Sequence, residues 1–183
     1  GPILRTGWKR IVDASYDMAD EYLKATAGDD HKRLLITYVS AYGYTRDMAN
    51  LIARGASGVR NVTVEVMDIE SAEIGEIDSR LSFADGIIVG SPTINQNTLL
   101  PVYKLAAMVS PLRDRGKLAG SFGSFGWSGE APGLIAEMLK NLKLKIFEQP
   151  IAYKFMPESI KEKPLIEYGE RFARQLVAEK AVS

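Results

Sequence analysis

Five short apolar runs recur along this chain, each followed by a segment with helical spacing, and that alternation leaves few folds open. The runs cover residues 33–39, 61–69, 86–90 and 117–122, with a last one in 145–153 that Pro150 interrupts. Residues 33–39 and 86–90 are almost continuously apolar and rich in β-branched side chains, as expected of strands buried on both faces. Residues 61–69 alternate with period two. Helical spacing fills 45–57, 76–84 (weakly), 99–109, 131–142 and 163–179. Parallel neighbours need a helical crossover, so this order predicts an α/β fold with one five-stranded parallel sheet covered on both faces.

A further amphipathic helix is expected at 8–24, where Trp8, Ile11, Val12, Ser15, Met18, Ala19 and Tyr22 recur at three- and four-residue steps. Gly28-Asp29-Asp30 ends it. Residues 1–30 therefore read as a linker and helix surplus to the alternation, and 31–183 as the domain. With 183 residues the chain has room for one α/β domain and this extra element.

Composition narrows the chemistry. The sequence contains no cysteine, which removes thiolate nucleophiles and iron–sulfur ligation and fits a reducing compartment. Its one histidine, His31, lies in a polar run, and no His/Glu/Asp group has metal-ligand spacing, so neither a metal centre nor a catalytic side chain is expected. Lys plus Arg equals Asp plus Glu at 23 each, a balance that offers no footprint for nucleic acid and no polybasic membrane patch. The apolar runs are far too short for a membrane span, and a soluble, cytoplasmic protein is expected.

In open α/β sheets ligands bind beyond the carboxyl ends of the strands, where strand order reverses. Three loops there are unusual. After the first strand, Ser40-Ala41-Tyr42-Gly43-Tyr44-Thr45 runs straight into a helix, combining hydroxyls, a glycine and unpaired N–H groups in a way that suits a phosphate. The competing reading makes Ser40 and Thr45 ordinary helix caps. Neither G-x-x-x-x-G-K-[ST] nor G-x-G-x-x-G is present. After the third strand, Ser91-Pro92-Thr93-Ile94-Asn95 opens a stiff polar loop that can reach a heteroaromatic edge; alternatively it is a plain turn capped by Asn97 or Thr98. After the fourth, Gly123-Ser124-Phe125-Gly126-Trp127-Ser128-Gly129-Glu130 reads as a loop bringing amides and aromatic faces against a flat ligand, or else as an inert flexible loop. Together the three loops describe a site for a mononucleotide with a large planar ring, which is FMN.

These stretches, from Tyr38 to Thr45, Gly90 to Asn95 and Gly123 to Ala131, resemble the C-terminal flavodoxin-like domain of flavodiiron proteins, also called A-type flavoproteins. Gly1-Pro2-Ile3-Leu4-Arg5 resembles the family's connection out of its metallo-β-lactamase-like domain, and favours a native junction over a remnant of tag cleavage. The resemblance implies a flavodoxin-like three-layer sandwich with strand order 2-1-3-4-5. It implies that Ser40, Tyr42, Gly43, Tyr44 and Thr45 surround the FMN phosphate, with Ala41 a minor contributor. Ser91, Pro92, Thr93, Ile94 and Asn95 would line the isoalloxazine, with Ser124, Phe125, Gly126, Trp127, Ser128 and Gly129. Tyr103 and Trp8, outside these loops, read as packing residues.

The family relationship further implies electrons arriving from a rubredoxin-like donor, a reduced deazaflavin or a reductase. They would pass to a di-iron site, on the same chain or a partner, that reduces oxygen or nitric oxide within head-to-tail homodimers. The family's H-x-E-x-D-H ligand motif is absent here, so this chain is expected to be either an excised domain or a free-standing relative. A flavodoxin-type electron carrier and an FMN-dependent NAD(P)H:quinone reductase stand as alternatives. A receiver-like signalling domain is disfavoured because Tyr38-Val39-Ser40 offers no acidic cluster.

Overall fold

The computed structural model describes residues 31–154 and 162–179. The helix expected at 8–24, Trp8 and the proposed boundary near residue 30 lie outside them. Six strands alternate with five helices: β1 (Lys32–Tyr38), α1 (Tyr44–Ser57), β2 (Val62–Asp68), α2 (Ile74–Phe83), β3 (Gly86–Gly90), α3 (Leu100–Met108), β4 (Leu118–Phe125), α4 (Ala131–Asn141), β5 (Lys145–Ile146), β6 (Ile151–Lys154) and α5 (Glu162–Ala178). The sheet is parallel throughout, in the order β2-β1-β3-β4-β5, with β6 also pairing to β4.

The interior strands are buried as their composition demands. All five residues of β3 are buried, and β1 hides Leu34 to Thr37. Successive side chains point to opposite faces and build two separate apolar layers. On one face Leu35, Val39, Ile87, Val89 and Ala119 meet α2, α3 and α4 through Ile77, Leu81, Val102, Leu105, Ile135 and Leu139. On the other, Leu34, Ile36, Ile88, Leu118 and Phe122 meet α1 and α5 through Met48, Ile52, Leu165, Tyr168, Phe172 and Leu176. Each fully buried aliphatic or aromatic side chain contributes about 1.5–3 kcal/mol. Among the described residues, no helix is long and apolar enough to cross a membrane.

The fifth position in the sheet differs from a simple strand, as Pro150 foretold. β5 pairs with Leu118 and Ala119 at the start of β4, whereas β6 pairs with Phe122 to Phe125 at its end. Between them Phe147 packs edge-to-face on Tyr168 and Phe172, and Glu148 accepts two hydrogen bonds from Arg171 of α5. The second pairing has a consequence that the sequence reading missed. Gly123, Ser124 and Phe125 are strand, not loop, because β6 supplies the partner that makes extended backbone favourable there.

On the outer face α1 and α5 touch backbone to backbone. A Cβ on Gly55 would come within 1.9 Å of the Ile166 carbonyl oxygen, and one on Gly169 within 2.0 Å of that of Ile52. Alanine is the better helix former elsewhere, yet here it would force the helices apart. Gly133 in α4 has nothing within 4 Å of the same position. Opposite signs are therefore expected from one chemical change. Gly55→Ala should destabilise by about 1–3 kcal/mol through overpacking, and Gly133→Ala should stabilise by about 0.5–1 kcal/mol; urea unfolding midpoints of the two variants measure both.

At the amino edge, Asp114 is 2% exposed and accepts hydrogen bonds from Arg113, Lys117 and the Ser110 N–H. Arg113 also reaches Asp78 of α2 at 2.8 Å, and Lys117 donates to the Leu81 carbonyl at 2.9 Å. The group ties the α3–β4 connection to α2. Burial pushes the Asp114 carboxyl up, but the hydrogen bonds from Arg113, Lys117 and Ser110 together outweigh it and leave it below its ordinary value. A depressed carboxyl contributes stability that is present above its unfolded value of about 3.9 and lost as pH falls below it. Asp114→Asn should cost about 1–3 kcal/mol at pH 7, and its stability should fall less steeply than the wild type's between pH 4 and pH 2.

Candidate cofactor site

The three loops singled out in the sequence meet at the carboxyl rim of the sheet. Tyr42, Tyr44, Pro92, Thr93, Ile94, Ser124, Phe125, Gly126 and Trp127 line an open cleft of about 270 Å³ there. Among the described residues this lining is uncharged and largely apolar. Trp127 is 94% exposed and Tyr42 80% exposed, so two aromatic faces stand at the mouth without protein packed against them. A larger depression of about 370 Å³, lined by His31, Arg33, Thr63, Glu65, Arg80 and Phe83 among others, lies at the opposite end of β1. That end presents the amino termini of the strands, where α/β sheets do not place their ligands.

Loop one enters α1 through Gly43, whose φ of +86° lies in the left-handed region that glycine adopts without strain. The first helical bond runs from the Asp47 N–H to the Gly43 carbonyl. The N–H groups at the start of the helix therefore precede the ladder, the place where a helix can receive an anion. Gly43, at the helix boundary, has no side chain with which to cap it. Ser40 Oγ accepts only a long bond of 3.4 Å from the Arg46 N–H, and Thr45 turns inward, 1% exposed, to share a 3.0 Å hydrogen bond with Ser124 Oγ. Thr45 is therefore no cap, whereas Ser40 keeps a long capping bond to the first turn. Arg46 folds back over Gly43 and pairs with Asp47 at 3.1 Å, both partly exposed. Burial raises the pKa of nearby Tyr38, Asp68 and Asp47 add to the shift, and Arg46 opposes it.

Loop two is a tight hairpin rather than a plain turn. Ile94 and Asn97 exchange both backbone hydrogen bonds, and the two residues between them, Asn95 and Gln96, have φ of 52° and 57°. That is the mirror-image turn which follows the twist of paired strands, at a cost for any residue but glycine or asparagine. Its base is fixed by Ser91 Oγ, which donates to the Pro92 carbonyl and accepts from the Leu99 N–H. Asn97 Oδ1 accepts from the Thr98 N–H and from the Tyr103 hydroxyl. Neither Asn97 nor Thr98 caps α3, which begins at Leu100 behind Leu99. Tyr103, read from sequence as a packing residue, is 42% exposed and steadies the hairpin through its hydroxyl.

Loop three is held to both others. The Ser124 carbonyl accepts from the Thr93 N–H at 2.9 Å, the Ser124 hydroxyl meets Thr45, and Thr93 Oγ1 accepts from the Ala131 N–H at 3.0 Å. Gly129 packs against Phe125 and Ala152. The two ends of the segment, at Ser124 and Ala131, are thus anchored to the neighbouring loops. Of the residues expected at the site, nine line the cleft. Ser40, Ala41, Gly43 and Thr45 sit beside it at the α1 terminus, Ser91 is buried under loop two, Asn95 stands at the exposed hairpin tip, and Ser128 and Gly129 lead away into α4.

An uncharged aromatic cleft beside a helix terminus rich in N–H and hydroxyl donors fits a planar ring carrying a phosphate. Among the described residues, Thr98 Oγ1 and Glu130 Oε2 on these loops are also buried without a hydrogen-bond partner. Sequence reading singled out neither for a role in binding, since nothing in their spacing marks them.

Comparison with known proteins points the same way. The flavodoxin family model matches residues 36–168. The flavo-diiron protein FprA2 of Clostridium acetobutylicum is 35% identical over 96% of this chain and 44% of its own length. The rubredoxin oxygen:oxidoreductase of Desulfovibrio gigas superposes with a TM-score of 0.74 at 31% identity, covering 86% of this chain and 38% of that one. An archaeal flavodoxin superposes with a TM-score of 0.69 at 29% identity, covering 79% of this chain and 98% of that one. The chain thus spans less than half the length of the curated flavodiiron relatives it matches.

The strained hairpin generates its own prediction. Gln96→Gly should stabilise the domain by up to about 1 kcal/mol by relieving the left-handed backbone, read as a rise in the thermal unfolding midpoint.

Proposed function

This chain belongs to the flavodoxin family, and from that membership we propose that it binds FMN non-covalently in the rim cleft and relays electrons as the flavodoxin-like part of a flavodiiron oxidoreductase. The observation that carries the reading is the convergence of all three loops on one uncharged, aromatic-lined cleft beside the α1 terminus. Identity of about 35% to flavodiiron relatives across nearly the whole chain supports the oxidoreductase context.

In this reading the α1 terminus and Ser40 receive the phosphate, and the backbone of Gly43 lets it approach, while Thr45 ties loop one to Ser124 from within. Each charge-assisted hydrogen bond contributes about 1.5–3 kcal/mol, more than the helix-end field at about 0.3–1 kcal/mol. Tyr42 and Trp127 flank the ring, while Pro92, Thr93, Ile94, Phe125 and Gly126 border it. Bound there, FMN supplies the redox chemistry, and no side chain of this chain acts as acid, base or nucleophile. Among the described residues no carboxylate lines the cleft, which limits repulsion of the negative charge arriving with electrons. The exposed mouth leaves the ring within reach of a partner.

The donor side would be a redox protein, a reduced deazaflavin or a reductase. The acceptor would be a di-iron site on a lactamase-like domain, in the same chain or across a homodimer. The cysteine-free sequence supports a reducing, cytoplasmic setting. A second reading, a free-standing electron carrier, is favoured by the archaeal flavodoxin that is matched over 98% of its length. Zero net charge disfavours it, since carriers of that kind use acidity to dock.

The purified chain titrated with FMN should quench flavin fluorescence at one equivalent with sub-micromolar affinity, as roughly thirty heavy atoms at about 0.3 kcal/mol each allow. Trp127→Ala and Thr93→Ala should each weaken binding at least several-fold and move the midpoint potential. Unchanged affinity and potential in both variants would remove these loops from the site. Rapid NADPH oxidation by the FMN-loaded chain would instead favour a quinone reductase.

A further inference from the structure

The hairpin that walls one side of the cleft is built on a turn that does not hold itself. Asn95 and Gln96 stand at φ of 52° and 57°, the mirror-image pair for which asparagine followed by glycine is the self-sufficient choice. Asparagine tolerates its place, but Gln96 occupies the position that glycine fills without strain. A single residue pair, Ile94 with Asn97, closes the hairpin through backbone bonds of 3.1 and 3.0 Å. So short an antiparallel pair is marginal in water. Its two arms are tied to different elements. The Thr93 N–H secures the near arm to the Ser124 carbonyl of β4 at 2.9 Å. On the far arm the Tyr103 hydroxyl, reaching from α3, donates to Asn97 Oδ1 at 2.8 Å, where the Thr98 N–H donates as well. Both partners are donors, so only one orientation of the Asn97 amide serves them.

Thr93 and Ile94 line the cleft, whereas Tyr103 does not. Ile94 donates its N–H to the Asn97 carbonyl, so the place of this wall follows the place of the far arm. We propose that Tyr103 is a positioning residue for the flavin ring: its hydroxyl latches an otherwise marginal hairpin, holds Ile94 against the ring and slows release of the flavin. The proposal rests on the FMN reading of the cleft and deepens it. The latch acts on the ring wall, while the phosphate end at loop one and α1 is built from other residues. FMN and riboflavin, which differ only in the phosphate, should therefore feel it alike.

Two measurements on one set of variants test the latch. In the flavin-free chain, amide hydrogen exchange at Ile94 and Asn97 reports opening of the hairpin directly. Tyr103→Phe should speed exchange at both amides by about two- to tenfold, the size of one neutral hydrogen bond. Adding Gln96→Gly, which supplies the glycine that the turn favours, should bring exchange back to within about twofold of the wild type. In the loaded chain, flavin release is followed by the rise of fluorescence after stopped-flow dilution. Tyr103→Phe should accelerate release of FMN and riboflavin by the same factor, about two- to tenfold, and Gln96→Gly should restore retention of both. Asn97→Ala should cost at least as much, and adding Tyr103→Phe to it should cost nothing further. Rescue from a residue two positions inside the turn is a result that a general loss of stability would not give.

Unchanged exchange in Tyr103→Phe would overturn the latch itself, whatever the flavin does. Faster exchange with unchanged flavin release would overturn its link to the site. Acceleration of FMN release without a matching change for riboflavin would place the effect at the phosphate and overturn the proposal too, as would additive losses in the double variant. A wild-type chain that binds neither flavin would overturn the FMN reading, and with it the role given to the latch. That outcome is read on the unmodified protein, and the exchange data need no flavin, so the two failures are told apart.

Discussion

A strand with no polar side chain on either face can exist only where something apolar lies above and below it, and β3 is such a strand. Its neighbours β1 and β4 are likewise buried on both faces over most of their length, so the described helices must divide between two faces, and the crossovers that bring them there fix the direction of the strands. All carboxyl ends consequently emerge on one rim. The loops after β1, β3 and β4 are adjacent at that rim because their strands are adjacent in the sheet. The site is therefore a product of burial before it is a product of chemistry.

The elements that obey this constraint were legible in the sequence. Residues 86–90 coincide with β3, and the five described helices begin and end within two residues of where periodicity puts them. What escaped was decided by long-range pairing. Nothing local in Gly123-Ser124-Phe125 distinguishes a glycine-rich loop from a strand end; β6, arriving some thirty residues later, settles it. The left-handed pair Asn95 and Gln96 escaped for a related reason, since a glutamine at such a position is held by the bonds of its neighbours rather than by its own preference.

The site was legible as a set of segments and much less as a set of roles. Residue types in the three loops gave the ligand class, and Tyr42, Thr93 and Trp127 stand where those types suggested. Direction is the missing quantity. Thr45 and Ser91 look from sequence like ligand contacts, yet both hydroxyls turn into the protein, one to Ser124 and one to its own loop. Tyr103 looked like core and holds the hairpin from outside. Period and composition tell which face of an element is apolar, but not where a single hydroxyl points.

Where α1 crosses α5, main chain rests on main chain at Gly55 and Gly169, with no side-chain cushion between. Cushioned helices can slide; these two behave as a welded joint. The same helix starts at the Gly43 turn and carries Tyr44 to the rim cleft, so a side chain at either crossing glycine would have to displace an element that forms one wall of that cleft.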